Sequence, residues 1–186
     1  LRRWLSRALN LVFSRGLDLR VHDMSSGFRL YRAEVLQHMT LESEDYDILQ
    51  EVLVQVMMEG YRIAEVPFRY SPRDNTQAYR RVFLFGRAYL RTFTRLWRLR
   101  NSILSADYDG RAYDALMPPQ RYWQRQRYRH ITSLLVGQGA CLDVGCGSSR
   151  IIEALPPGSL ALDILFRKLR YARRYSVPLV QGSLFE

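Results

Sequence analysis

The sequence is short of several features that would point directly to a function. Only two of its 186 residues are cysteines, Cys141 and Cys146, and their spacing fits neither a CxxC redox pair nor a paired zinc framework, which suits a reducing compartment. The three histidines, His22, His38 and His130, are scattered and form no HxxxH pattern, so a metal site would have to rest mainly on carboxylates. No apolar run reaches the roughly 18 to 20 residues that a membrane-spanning helix needs, and no signal peptide opens the chain. Lysine is nearly missing: of 28 basic residues, only Lys168 is not arginine. There is no initiating Met, helix-like sequence begins at Leu1 and a strand precedes Glu186, so both ends read as cuts and the chain as an internal fragment.

What remains is globular in composition. An apolar content of 47% over 186 residues allows one ordinary domain or two small ones. The formal net charge of +10 favours polyanionic partners: nucleic acid, an anionic membrane or phosphorylated substrates.

In the second half, residues 139–147 read GACLDVGCG, a short apolar strand entering a glycine turn, and a helix-like stretch from Ser148 to Leu155 ends at Pro156-Pro157-Gly158. A second strand, Ser159 to Ile164, carries Asp163 near its end. A basic helix, Leu165 to Tyr175, then leads to a third strand around Val177 to Gln181. The order βαβαβ predicts an α/β fold with a parallel, doubly wound sheet. Gly145 and Gly147 let the backbone turn tightly and approach a ligand, and Asp163 lies where an acid can accept hydrogen bonds from ribose hydroxyls, which suits an adenosine cofactor. A dinucleotide GxGxxG fingerprint would need glycine at position 150, which holds Arg150, so NAD and FAD are disfavoured.

Asp143, Gly145 and Gly147 resemble motif I of the class I S-adenosylmethionine (SAM)-dependent methyltransferases. That resemblance implies SAM as cofactor on a Rossmann-like sheet, with the turn holding the methionine part and Asp163 the ribose. Ser149 stands where a third glycine is usual, and Ser183 replaces the frequent acid after the third strand. The alternative is a strand and turn of some other α/β fold. No catalytic base is identified.

In the first half, Leu1 to Leu17 is helix-like and HDMSSGFRLYRAEVL reads as a loop before a helix. Asp47 to Glu59 is a predicted amphipathic helix closed by Gly60, and YRIAEVPFRY, 61–70, alternates like a strand, with Pro67 arguing for an edge. The blocks Asp23-x-x-Ser26-Gly27-Phe28-Arg29, Glu51 and Gly60 through Pro67 together resemble the acceptor half of family 2 glycosyltransferases of the dolichol- or polyprenyl-phosphate sugar transferase type. The resemblance implies a partial GT-A-like fold, a nucleotide-sugar donor and a lipid-phosphate acceptor. It assigns Ser26 and Arg29 to the acceptor phosphate, with Arg7 a further candidate. Arg29 could instead brace the loop by pairing with Asp23 or Glu51, and Glu51 could be structural or face the acceptor. The family's Asp-x-Asp motif, which holds the nucleotide sugar and a divalent Mg or Mn ion, is expected only in the glycosyltransferase half that this chain lacks. After Pro72-Arg73 the chain reads DNTQAYRR in place of the family's glycine and Ser-Lys pair, so that loop stays unassigned.

Between the halves, Tyr79 to Arg100 forms a predicted basic amphipathic helix. Arg80, Arg87, Arg91, Arg95 and Arg98 fall on one face, with Val82, Phe83, Tyr89, Phe93, Leu96 and Trp97 largely opposite. Such a helix suits an anionic membrane surface, or packs on its own domain with its arginines solvated. Residues 101–119 read as a polar linker, and Gln120 to Val136 as a helix covering the sheet that follows. Nucleic acid is disfavoured, since no RRM, KH or zinc signature accompanies the arginine and aromatic residues.

The expected organisation is therefore a glycosyltransferase acceptor half over 1–78, a basic helix over 79–100, a linker over 101–119 and the start of a methyltransferase domain over 120–186. The parent would be a bifunctional transferase at the cytoplasmic membrane face, and this stretch alone would catalyse neither reaction. The alternative is a non-catalytic membrane-surface or nucleic-acid binding module on inherited enzyme scaffolds.

Overall fold

The computed structural model describes residues 10–19, 21–24, 26–37, 39–43, 47–69, 82–115 and 117–183, the side chains of 82–89 excepted. The chain divides into two compact units, 1–56 with 62–100, and 57–61 with 101–186. It is α/β in class, with several helices and one small parallel sheet.

The first unit is helical. Helix α1 covers 10–16 among the described residues, α2 is Ala33–Gln37, α3 is Ile48–Met58 and α4 is Val82–Arg100. Helix α3 is apolar over most of its circumference in a stretch without glycine or proline, and Gln50, Glu51, Val52, Leu53, Val54 and Val56 are all buried, as in a helix surrounded by its domain rather than one with a single apolar side. Gly16 fits α1 against α4: a Cβ there would lie 2.5 Å from Cζ of Phe93, whose ring meets Phe13 edge-on at 5.1 Å.

Two expectations fail in this unit. Residues 61–69 form no regular element and join no strand ladder among the described residues, because an alternating pattern needs a neighbouring strand to become a sheet. The expected arginine face of α4 fails at Arg95 and is kept at Arg91 and Arg98, while Arg80 and the Arg87 side chain lie outside the described residues. Arg95 points inward, bonding the Glu51 carboxylate through Nη1 at 2.8 Å and Nη2 at 3.0 Å, and Arg100 is fully buried, donating from Nε to the Leu17 carbonyl at 3.1 Å. The outward side instead mixes Leu90 and Trp97 with Arg91 and Arg98, while Thr92 and Leu96 are buried.

Glu51 explains the inward turn. Its side chain is wholly withdrawn from water, and besides Arg95 it accepts hydrogen bonds from the Ser43 N–H at 2.8 Å, the Glu42 N–H at 3.2 Å and Gln55 Nε2 at 3.3 Å. The role is structural: one carboxylate fixes the loop before α3 and the position of α4.

In the second unit, α5 (Tyr108–Tyr113) and α6 (Pro118–Leu135) precede β1 (Leu142–Val144), a 3-10 turn (Arg150–Ala154), β2 (Leu160–Asp163), α7 (Phe166–Ala172) and β3 (Leu179–Gln181). The strands are parallel in the order β1-β2-β3, with Leu142 opposite Leu160, Val144 opposite Leu162 and Leu162 opposite Val180. The stretch 148–155, expected as a helix, tightens into the 3-10 turn. The stretch 101–119, expected as a linker, contains α5 and buries Ser105, Ala106 and Asp107.

One face of the sheet carries Ala161 and Asp163, and on it Cys146, Ile152, Leu169 and Ala172 form the core. The opposite face presents Leu142, Val144, Leu160 and Val180, all exposed, where a doubly wound sheet would be covered. The expected cover, α6, buries none of its residues and rests on α5 and the 3-10 turn.

The Glu51 hub makes a pH prediction. Burial pushes its pKa up, but the bonds from Arg95, Ser43 and Glu42 outweigh this and hold it at about 2, against 4.5 for a free glutamate. A depressed carboxylate stabilises the fold above pH 4.5, and that stabilisation is lost as pH falls toward about 2. Glu51→Gln should cost about 3 kcal/mol, because Arg95 loses its partner, and should flatten this acid limb. Urea unfolding between pH 7 and pH 3 tests both outcomes.

Candidate functional site

The glycine turn follows directly from the end of β1. Gly145 and Gly147 adopt φ of 70° and 59°, left-handed values that glycine takes without strain. Ser149, in the place of a third glycine, has φ of −68° and accepts the Ile151 N–H on its Oγ at 3.2 Å, so it caps the 3-10 turn and needs no glycine. Arg150 stacks on the Tyr113 ring at 4.5 Å and pairs with Asp114, which ties the 3-10 turn to α5.

Every main-chain N–H of the turn is used. Gly145 and Cys146 donate to the Leu162 carbonyl at 2.8 and 3.1 Å, Gly147 to Asp163 Oδ2 at 2.8 Å, Ser148 to Asp109 Oδ2 at 3.1 Å and Ser149 to the Cys146 carbonyl at 3.3 Å. A loop that cradles phosphate does so with free N–H groups, and this one has none to offer. Its surroundings are negative as well. Burial pushes the Asp143 carboxyl up, with Arg127 opposing and Asp163 reinforcing the rise. The Cys146 thiol is pushed up to about 12, first by burial and then by Asp143, Asp163 and Asp109.

Asp163 is buried. Beyond Gly147, its Oδ1 accepts the Leu165 N–H at 2.8 Å, so it locks the ends of β1 and β2 together. Around Gly145 the space is open, with nothing within 4 Å of where a Cβ would stand. At Gly147 a Cβ would lie 2.5 Å from Asp109 Oδ2, a residue that sequence pattern alone did not single out.

The expectation that the Asp-x-Asp motif lies outside the chain needs correcting in one respect: two such runs occur, Asp45-Tyr46-Asp47 and Asp107-Tyr108-Asp109. The first lies partly outside the described residues. In the second, Asp107 Oδ1 accepts from Ser105 Oγ at 2.9 Å and pairs with Arg111 at 3.3 Å, while Asp109 pairs with Lys168 Nζ at 2.9 Å. Among the described residues no group of three or more His, Cys, Asp or Glu side chains could hold a metal ion. Asp107 and Asp109, each already paired with a cation, do not fit a divalent ion.

In the first unit, the loop around Ser26 is held by local bonds and by Glu65 from farther along the chain. Ser26 N–H donates to Asp23 Oδ1 at 3.0 Å, and Ser26 Oγ accepts the Phe28 N–H at 3.1 Å. Glu65, which sequence reasoning gave no role, accepts the His22 N–H at 2.9 Å, the Asp23 N–H at 3.1 Å and a bond with His22 Nδ1 at 2.7 Å. Arg29 donates from Nη1 to the Leu49 carbonyl at 2.6 Å and to the Tyr31 hydroxyl at 3.5 Å, in place of the expected pairing with Asp23 or Glu51. Its Nη2 is buried with no acceptor among the described residues. A buried guanidinium nitrogen without a partner is costly, and an anion would satisfy it. Arg7 lies outside the described residues.

Part of the chain is similar to a curated protein named dolichyl-phosphate hexose transferase, from Haloferax volcanii, at 40% identity over 73 residues. The match covers 37% of this chain and 32% of that protein, so the chain spans about a third of the length of this relative. It marks a glycosyltransferase-like region. No family profile and no solved structure matches the chain.

The two glycines of the turn should respond differently to substitution. Gly145→Ala meets open space and should cost about 1 kcal/mol for the positive φ alone. Gly147→Ala adds a clash with the Asp109 carboxylate and should cost at least about 2 kcal/mol, as read by denaturant unfolding.

Proposed function

We propose that the chain combines parts of two transferases: the acceptor side of a GT-A-like glycosyltransferase in the first unit, and the cofactor side of a Rossmann-like, class I methyltransferase in the second. The parent protein transfers a sugar from a nucleotide donor to a polyprenyl-phosphate-type lipid and, separately, a methyl group from SAM to another acceptor. The divalent ion of the sugar transfer belongs with the nucleotide-binding part.

The observation that carries the methyltransferase half is the glycine turn, whose N–H groups are all internally bonded and whose neighbours are carboxylates. SAM brings a sulfonium and an ammonium to that turn, whereas NAD brings a pyrophosphate. Asp143 and Asp163 supply the negative environment, and the open side of Gly145 gives the ligand its approach.

For the glycosyltransferase half, the partial similarity to the Haloferax volcanii dolichyl-phosphate hexose transferase supports sugar transfer to a lipid phosphate. Arg29 Nη2 is the donor in wait for the acceptor phosphate, with the Ser26 hydroxyl in the same loop. The outward side of α4, with Leu90 and Trp97 beside Arg91 and Arg98, suits the headgroup region of an anionic membrane, where a lipid acceptor resides.

Three measurements on the protein in its natural length test these roles. Calorimetry should show SAM binding that Asp163→Ala weakens at least about tenfold; no heat with the unaltered protein sinks the methyltransferase half. Arg29→Ala should lower kcat/KM for a polyprenyl-phosphate acceptor by roughly tenfold to a hundredfold, and an unchanged rate removes Arg29 from the acceptor site. Flotation with anionic vesicles should fall when Arg91 and Arg98 are both replaced by Glu; equal flotation rules out the α4 surface.

A further inference from the structure

We propose that Asp109 is a built-in anion seated in a donor cradle at the glycine turn, and that it determines the specificity of the turn by taking the place a ligand phosphate would occupy. The cradle consists of the Ser148 N–H at 3.1 Å, Ser148 Oγ at 3.2 Å and Lys168 Nζ at 2.9 Å, all converging on one oxygen, Asp109 Oδ2. A main-chain N–H, a hydroxyl and an ammonium focused on one point form an anion site by their chemistry.

The seat is a close one. Glycine at position 147 lets something approach the backbone where a Cβ would stand, and what approaches is the Asp109 carboxylate, 2.5 Å from that point, with Lys168 Nζ 3.6 Å away. In a dinucleotide-binding turn that close approach belongs to the pyrophosphate. Here the side chain of α5 has taken it. Lys168, the single lysine of the chain, has a side chain only 12% exposed, and that of Asp109 is 21% exposed, so the pair is largely shielded from water. Gly110 completes the fit, since a Cβ there would come within 3.2 Å of the Tyr171 hydroxyl.

The filled cradle does not depend on the identity of the cofactor; only its consequence, the preference for a cationic adenosine ligand over a phosphate-bearing one, rests on the SAM assignment. In the Asp109→Ala protein the three donors are left without their acceptor. Melting temperature is then compared in chloride, formate and phosphate at equal ionic strength. The expected result is a lowered melting temperature that formate or phosphate raises by several degrees over chloride, with no such selectivity in the unaltered protein and none when Lys168→Met is added.

An Asp109→Ala protein indifferent to both anions overturns the proposal, as does an unaltered protein that responds equally. Should Asp109→Ala fail to fold, titration of the unaltered protein with inorganic pyrophosphate decides. The amide resonances of Gly147 and Ser148 should not move, and saturable shifts there overturn the proposal. Anion rescue without SAM binding in the unaltered protein removes the cofactor assignment and leaves the cradle standing.

Discussion

A carboxylate withdrawn from water must be given hydrogen-bond donors, and this requirement fixes the loops of both units. Glu51 in the first unit gathers Arg95, Gln55 and the N–H groups of Glu42 and Ser43. In the second unit Asp163 and Asp109 divide the work, each taking one N–H of the glycine turn and one or more further donors. Leaving such a group unmatched costs more than any surface contact returns, so these bonds dictate where the chain turns. The consequence for function is direct. The N–H groups of the glycine turn are spent on internal carbonyls and carboxylates, which leaves none of them free for a ligand.

The net charge of +10 is not all surface charge. Part of the arginine excess is internal architecture. Arg100 bonds the Leu17 carbonyl, Arg29 the Leu49 carbonyl and Arg170 the Glu59 carbonyl, while Arg170 also lies over the Tyr61 ring at 4.0 Å. A flat guanidinium with several donors suits main-chain carbonyls and aromatic faces in a way that an ammonium does not. Net charge counted from the sequence therefore overstates the surface available to a polyanion. Arg91 and Arg98 remain exposed on α4, and the inward arginines do not contribute to that surface.

Legibility differed between the units for a physical reason. In the second unit each strand is short, apolar and bounded by glycine or proline, and its partners lie within the next forty residues, so β1, β2, β3 and α7 were readable in order. Helix α3 was legible from its apolar spacing and from Gly60, whose φ of 80° suits only glycine. The segment 61–69 was not, because a strand is completed by another strand and the described residues supply none. The inward turn of Arg95 was hidden too, since helical periodicity assigns a face but cannot know that a buried acid 44 positions earlier lies beneath it.

The sequence by itself determined the α/β class, the glycine turn with its acid two positions before and another at the end of the next strand, and the exclusion of a dinucleotide fingerprint at Arg150. These depend on residue type and local spacing, which the chain carries regardless of how it folds. Only the tertiary structure decided which donors each carboxylate receives. Asp109 and Lys168 stand 59 positions apart, and Asp109 and Ser148 are separated by 39. Their meeting leaves no local pattern, apart from a lone lysine in an arginine-rich chain. It is long-range pairing of this kind that converts a glycine turn of ambiguous use into one already filled by an anion of its own.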